Sequence, residues 1–122
     1  MRALALLALA LAACPASASD AWTTGDTQRE TAYLALHALD WLQTRVIARD
    51  PRYHEINPTL GTNPGMGDIN RYFALCAAAH IGISAMLPRG WRDGWQYLTI
   101  GYRYGYVESN FRLGVRIDFG NP

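Results

Sequence analysis

Tyr33, His37, Asp40 and Thr44 recur at i, i+4, i+7 and i+11, so they share one face of any helix built from this stretch. Around them stand Ala, Leu, Trp and Val. A carboxylate beside an imidazole is a pairing used in general acid–base chemistry and in metal sites. More groups of that kind follow in His54-Glu55-Ile56-Asn57-Pro58 and at His80. Together His37, Asp40, Glu55 and His80 allow one enzymatic reading, a metal-dependent envelope enzyme. The spacing does not complete a signature, however. There is no H-E-x-x-H, the two cysteines are not paired in a metal-binding motif, and His54 and Glu55 are adjacent in a proline-rich stretch. No metal ligand is therefore assigned, and no catalytic residue.

A second reading gives the same residues structural work. In Glu55-x-Asn57-Pro58 the side chains suit a turn in which they bond loop backbone, and Asp40 or Thr44 should meet that loop. In water the stripe on the first helix would be its solvent face, continued by Arg45 and Arg49. In an apolar setting ionisable groups turn toward the bundle interior instead. The candidate polar interior residues are thus His37, Asp40, Thr44, Glu55, Asn57 and His80.

Other chemistries find little support. Ser84 and Ser109 lie in neither a G-x-S-x-G elbow nor an S-x-x-K pattern. No glycine-rich loop joins a strand to a helix, so no nucleotide cradle and no cofactor is expected. All eleven basic residues are arginine, against ten acidic residues, and this balance gives no surplus to hold a phosphate backbone. Nucleic acid is excluded as an expected partner.

The elements that must position these groups follow from capping and breaking signals. Thr27-Gln28-Arg29-Glu30 has the form of a capping box, which places a first helix over about 27–49, stopped by Asp50-Pro51. Pro58, Gly61, Pro64, Gly65 and Gly67 mark an ordered loop. A second helix starts at Gly67-Asp68, with Asp68 as N-cap, and ends at Leu87-Pro88. Residues 89–109 can be read two ways. Trp91, Trp95 and the glycine pairs sit at helical spacing, which favours a helix, whereas Leu98, Ile100, Tyr102, Tyr104 and Tyr106 alternate as in a strand. After Asn110 the alternation of Phe111, Leu113, Val115, Ile117 and Phe119 reads as extended. The expected fold is all-α, a small bundle of about three helices with an extended C-terminal tail. The alternative is α+β with a C-terminal β-hairpin. Gly101 and Gly105 form a small-xxx-small pair that allows close helix contact, and hence self-association.

The N-terminus supplies an address. Ala3 to Ala13 has the length of a signal h-region, too short for a permanent span, and Ala16-Ser17-Ala18 has the form of a cleavage site. Residues 1–18 are read as a signal peptide and 19–122 as a single small helical domain. Leu11-Ala12-Ala13-Cys14 also resembles a lipobox, which makes Cys14 a lipidation candidate and gives Cys14 or Ser19 as the mature N-terminus. Cys76 is then the only remaining thiol, so no disulfide framework is available. The expected location is the bacterial cell envelope, inner membrane or periplasm, with membrane lipid as a partner.

Taken together, Asp40-Trp41-x-Gln43-Thr44-Arg45, Glu55-x-Asn57-Pro58-x-Leu60-Gly61, Tyr72-Phe73 and the later His80 form a recognisable pattern. It resembles small uncharacterised bacterial and phage or prophage-encoded helical membrane proteins, in which an Asp…Thr helix precedes a Glu-x-Asn-Pro loop. That resemblance implies a helical bundle and membrane association and carries no activity. Trp22, Trp91, Trp95, Tyr102 and Tyr104 would suit a membrane interface. The expectation is an exported, membrane-associated envelope protein with a structural or interaction role.

Overall fold

The computed structural model describes residues 20–117 and contains three helices. Helix α1 spans Thr24–Arg49, α2 Met66–Met86 and α3 Arg89–Arg112, and no strand occurs among the described residues. The expected all-α bundle is what forms. The expected signal segment 1–18 and Cys14 lie outside the described residues.

Helix α1 starts one turn before the expected site. Its capping box is Thr23 with Asp26: the Asp26 amide donates to Thr23 Oγ1, and the Thr23 amide donates to the Asp26 carboxylate at 2.8 Å. Thr27 instead accepts from the Trp22 indole, and Glu30 is freed to point into the bundle. At the other end Asp50 closes the helix before Pro51, as the sequence suggests, its amide donating to the Val46 carbonyl. Helix α2 also begins slightly early. Its N-cap is Gly65, with no side-chain cap, and Asp68 lies in the first turn, where its charge favours the positive end of the helix dipole.

The strand reading of 89–109 and the extended reading just after Asn110 are both corrected. Arg92, Gln96, Thr99 and Arg103 fall on one helical face and all find polar partners on α1 or α2, an arrangement a strand could not offer. Helix α3 continues through Phe111 and Arg112 because its stop signal comes later. Gly114 takes φ +92, its amide donates to the Phe111 carbonyl, and the Val115 amide donates to the Asn110 carbonyl. This is a Schellman motif, with Val115 buried behind it. The irregular tail begins only there.

Helix α1 is the centre of the fold, packing on both other helices, whereas α2 and α3 touch each other less. The buried hydrophobic residues are Tyr33, Ile69, Phe73, Val107 and Val115. They are outnumbered by buried polar ones, among them Asp26, Glu30, His37, Asp40, Gln43, His80, Arg92 and Gln96.

Candidate functional site

The stripe Asp26, Glu30, Tyr33, His37, Asp40 and Thr44 runs down α1 and is buried throughout. The solvent-face reading is therefore overturned. The stripe meets a matching one on α3, formed by Arg92, Gln96, Thr99, Arg103 and Asn110, with His80 and Ser84 entering from α2. Burying such groups is tolerable only when they bond one another, and here most do, with His37 Nδ1 and Arg103 Nε left without a partner among the described residues.

At the upper end Arg92 donates from Nη1 to Asp26 at 3.1 Å, from Nε to the Ser84 carbonyl at 2.7 Å and from Nη2 to the Asp20 carbonyl at 2.8 Å. Burial alone would push the Asp26 carboxyl up, but the Thr23 amide and hydroxyl together with Arg92 outweigh it and hold Asp26 at about 2. One turn on, Glu30 ties the three helices together. It accepts from His80 Nδ1 at 2.7 Å, Ser84 Oγ at 3.0 Å and Gln96 Nε2 at 2.9 Å. Burial lowers the His80 pKa, and the neighbouring Glu30 carboxylate opposes this only in part. His80 Nε2 lies 2.7 Å from Thr99 Oγ1, whose single proton also faces the Trp95 carbonyl at 2.8 Å. Hydroxyl, imidazole and carboxylate in that order match a hydrolytic relay. Thr99 is nevertheless held in its own helical turn, against the Trp95 and Gln96 carbonyls, and does not line the main cleft. The set acts as a structural clasp.

His37 lies farther down α1 and is separated from His80 by the Tyr33 ring, which stacks on both imidazoles at centroid distances of 5.5 and 3.5 Å. Its Nε2–H donates to the Phe73 carbonyl at 2.8 Å, and its buried Nδ1 has no partner among the described residues. Burial is the main reason its pKa is lowered. Asp40 pairs with Arg103 at 2.5 Å; their side chains are 9% and 12% exposed. Burial pushes the Asp40 carboxyl up, with Arg103 and His37 pulling against it, and it stays above its ordinary value. Breaking such a pair from one side leaves a buried charge uncompensated, at roughly 3–5 kcal/mol.

The chain matches no known protein family, characterised protein or solved structure in the comparisons made with it. The site must therefore be read from its own geometry. The structure brings Asp40, Thr44, Glu55 and Asn57 to one cleft of about 990 Å³, walled by the C-terminal halves of α1 and α3 and by the loop from Tyr53 to Thr59. Asp40 and Thr44 thus face the same cleft as the loop, with no hydrogen bond joining them to it among the described residues. Within it the Asn57 amide donates to Glu55 Oε1 at 2.7 Å and Asn57 Oδ1 accepts from the Thr59 amide, the turn anticipated for Glu55-x-Asn57-Pro58.

His37 and His80 do not join this cleft, so the four residues of the metal-enzyme reading do not converge. Among the described residues no group of three or more His, Cys, Asp and Glu is placed to hold a metal ion. From the sequence Glu30 has only a capping role and Arg92, Gln96 and Arg103 are passed over, although all four join the buried network. The signal existed. The α1 stripe extends backward through Glu30 to Asp26 at the same spacing, and Arg92, Gln96, Thr99 and Arg103 repeat it on α3. Gly101 and Gly105 line the cleft, and a Cβ at either would meet nothing within 4 Å.

Proposed function

We propose that this chain is an exported protein of the bacterial cell envelope that rests on a membrane and has a structural or interaction role. The observation that carries the proposal is the inverted distribution of polarity. Charged and amide side chains fill the interior, while Trp91 is 74% exposed, Leu98 71% and Leu75 64%. Buried polar groups and a contiguous exposed apolar patch are the two informative departures from ordinary burial. Their coexistence in one small bundle favours a surrounding that is itself partly apolar.

No helix among the described residues is long and apolar enough to cross a membrane. The proposal accordingly lays the bundle at the bilayer surface with aromatic and aliphatic side chains toward the acyl boundary. Trp91 and Leu98, and likewise Tyr97 and Tyr104, lie seven residues apart on the outer side of α3 and are exposed. Tyr and Trp suit that depth because each joins an apolar ring to a polar tip. The signal-like N-terminus supplies the export route, and lipidation at Cys14 would add an anchor. The likeness to phage-encoded membrane proteins supports a phage or prophage origin.

Carbonate extraction of membranes from cells expressing the full chain, with intact-mass analysis of the retained protein, tests this reading. Retention of a chain beginning at Ser19 supports association through the bundle itself, and retention of a lipidated Cys14 form supports association through an anchor. Quantitative release as a soluble protein in both carbonate and neutral low-salt buffer would contradict the proposal.

A further inference from the structure

We propose that the cleft between α1, α3 and the Tyr53–Thr59 loop is a binding site for a neutral saccharide. The cleft's charges already balance. Asp40 and Arg103 neutralise each other at its floor, and Arg52 and Glu55 add one charge of each sign at its edge. At the floor an anionic or cationic ligand would have to break the buried Asp40–Arg103 pair to gain a partner, whereas a neutral ligand leaves it intact; at the edge Arg52 is already held by Asp50 at 2.6 Å.

Besides the unpartnered Arg103 Nε, what the cleft offers is acceptors and rings. Asp40 gives only one carboxylate oxygen to Arg103, Glu55 gives only Oε1 to the loop, and Asn110 donates through Nδ2 to Gln43; the second oxygen of each carboxylate and Asn110 Oδ1 have no donor among the described residues. Three acceptors along one cleft call for a ligand rich in hydroxyl donors. Tyr102 and Tyr106 stand beside them on an exposed wall, rings edge-to-face and hydroxyls 3.1 Å apart. Such rings cover the C–H faces of a pyranose and bond its hydroxyls through their polar tips. The volume, about 990 Å³, lies at the upper end of the roughly 300–1,000 Å³ of small-molecule sites and gives space for more than one sugar ring. This inference is independent of membrane association.

Titration of the isotope-labelled full chain, in a detergent whose headgroup is not a sugar, tests it by amide chemical shifts. The probes are maltotetraose and tetra-N-acetylchitotetraose, with glycylglycine and inorganic phosphate as ionic controls. The expected result is saturable shifts confined to the Tyr53–Thr59 loop and to α3 from Tyr102 to Asn110 with at least one oligosaccharide, and none with the controls. Y102A and Y106A alter exposed rings and should keep the dispersed spectrum while weakening binding about tenfold each. W91A, outside the cleft, should leave it unchanged. Absence of saturable shifts with both sugars, equal response to glycylglycine or phosphate, or unaltered binding by both tyrosine variants overturns the assignment.

Discussion

Asp40 and Arg103 form the pair on which the lower half of the interior depends. Each is largely withdrawn from water and each is the other's main ionic partner. D40A or R103M alone should therefore cost about 3–5 kcal/mol in urea unfolding, while the apolar double variant D40L/R103M should cost much less than the sum of the two. A change within about 0.5 kcal/mol for D40A would place Asp40 on the surface and contradict the buried network. The titrating groups also predict an acid profile. The Asp26 carboxyl is depressed from 3.8 to about 2, so its contribution, about 2 kcal/mol, is complete above pH 3.8 and is lost as pH falls toward 2. His37 is shifted down by burial, so the fold favours its neutral form and loses stability as pH falls below about 6.5. Unfolding measured against pH should show both limbs. D26N should flatten the lower one, and H37Q part of the upper one, the rest belonging to His80, which burial shifts the same way. The stripe Tyr33, His37, Asp40 and Thr44 was legible from spacing alone, but its direction was not. Spacing fixes a shared helical face, and only the partners on α3 decide whether that face looks inward.

At the scale of elements, the helices were legible because periodicity and proline stops are local signals. Their ends were less so, since two signals of equal form competed. Thr23-x-x-Asp26 and Thr27-x-x-Glu30 both read as capping boxes, and the second loses because Glu30 is drawn into the bond with His80. T23A should thus cost about 1 kcal/mol, and T27A much less. The extended reading after Asn110 fails for a similar reason: Phe111, Leu113 and Val115 alternate, but Gly114 between them takes a left-handed backbone that ends α3. G114A should cost about 1 kcal/mol or more, because the added Cβ disfavours that conformation. Circular dichroism melts of T23A, T27A and G114A against the parent chain check the three values. The reverse ordering, with T27A the costliest, would restore the later helix start.

For the whole molecule, an interior that is specified by hydrogen bonds rather than by oil has a consequence for the surface. With few large apolar side chains inside, many of the remaining ones face outward from α2 and α3, and the proposed membrane surface is the medium that would accept them. That inversion was not legible in composition, because a chain that is half hydrophobic looks ordinary until one sees which half is inside. The cleft was half-visible beforehand: the sequence brought Asp40, Thr44, Glu55 and Asn57 together as candidates, but Arg103 and Tyr106, on a helix first weighed against a strand, completed it. The most direct test of the inverted bundle is fluorescence quenching of a variant that keeps Trp91 and replaces Trp22, Trp41 and Trp95 with phenylalanine, mixed with vesicles containing brominated acyl chains. The account predicts strong quenching of Trp91 by the brominated lipid and protection from aqueous iodide. Unchanged emission with brominated lipid, and full quenching by iodide in the presence of vesicles, would contradict it.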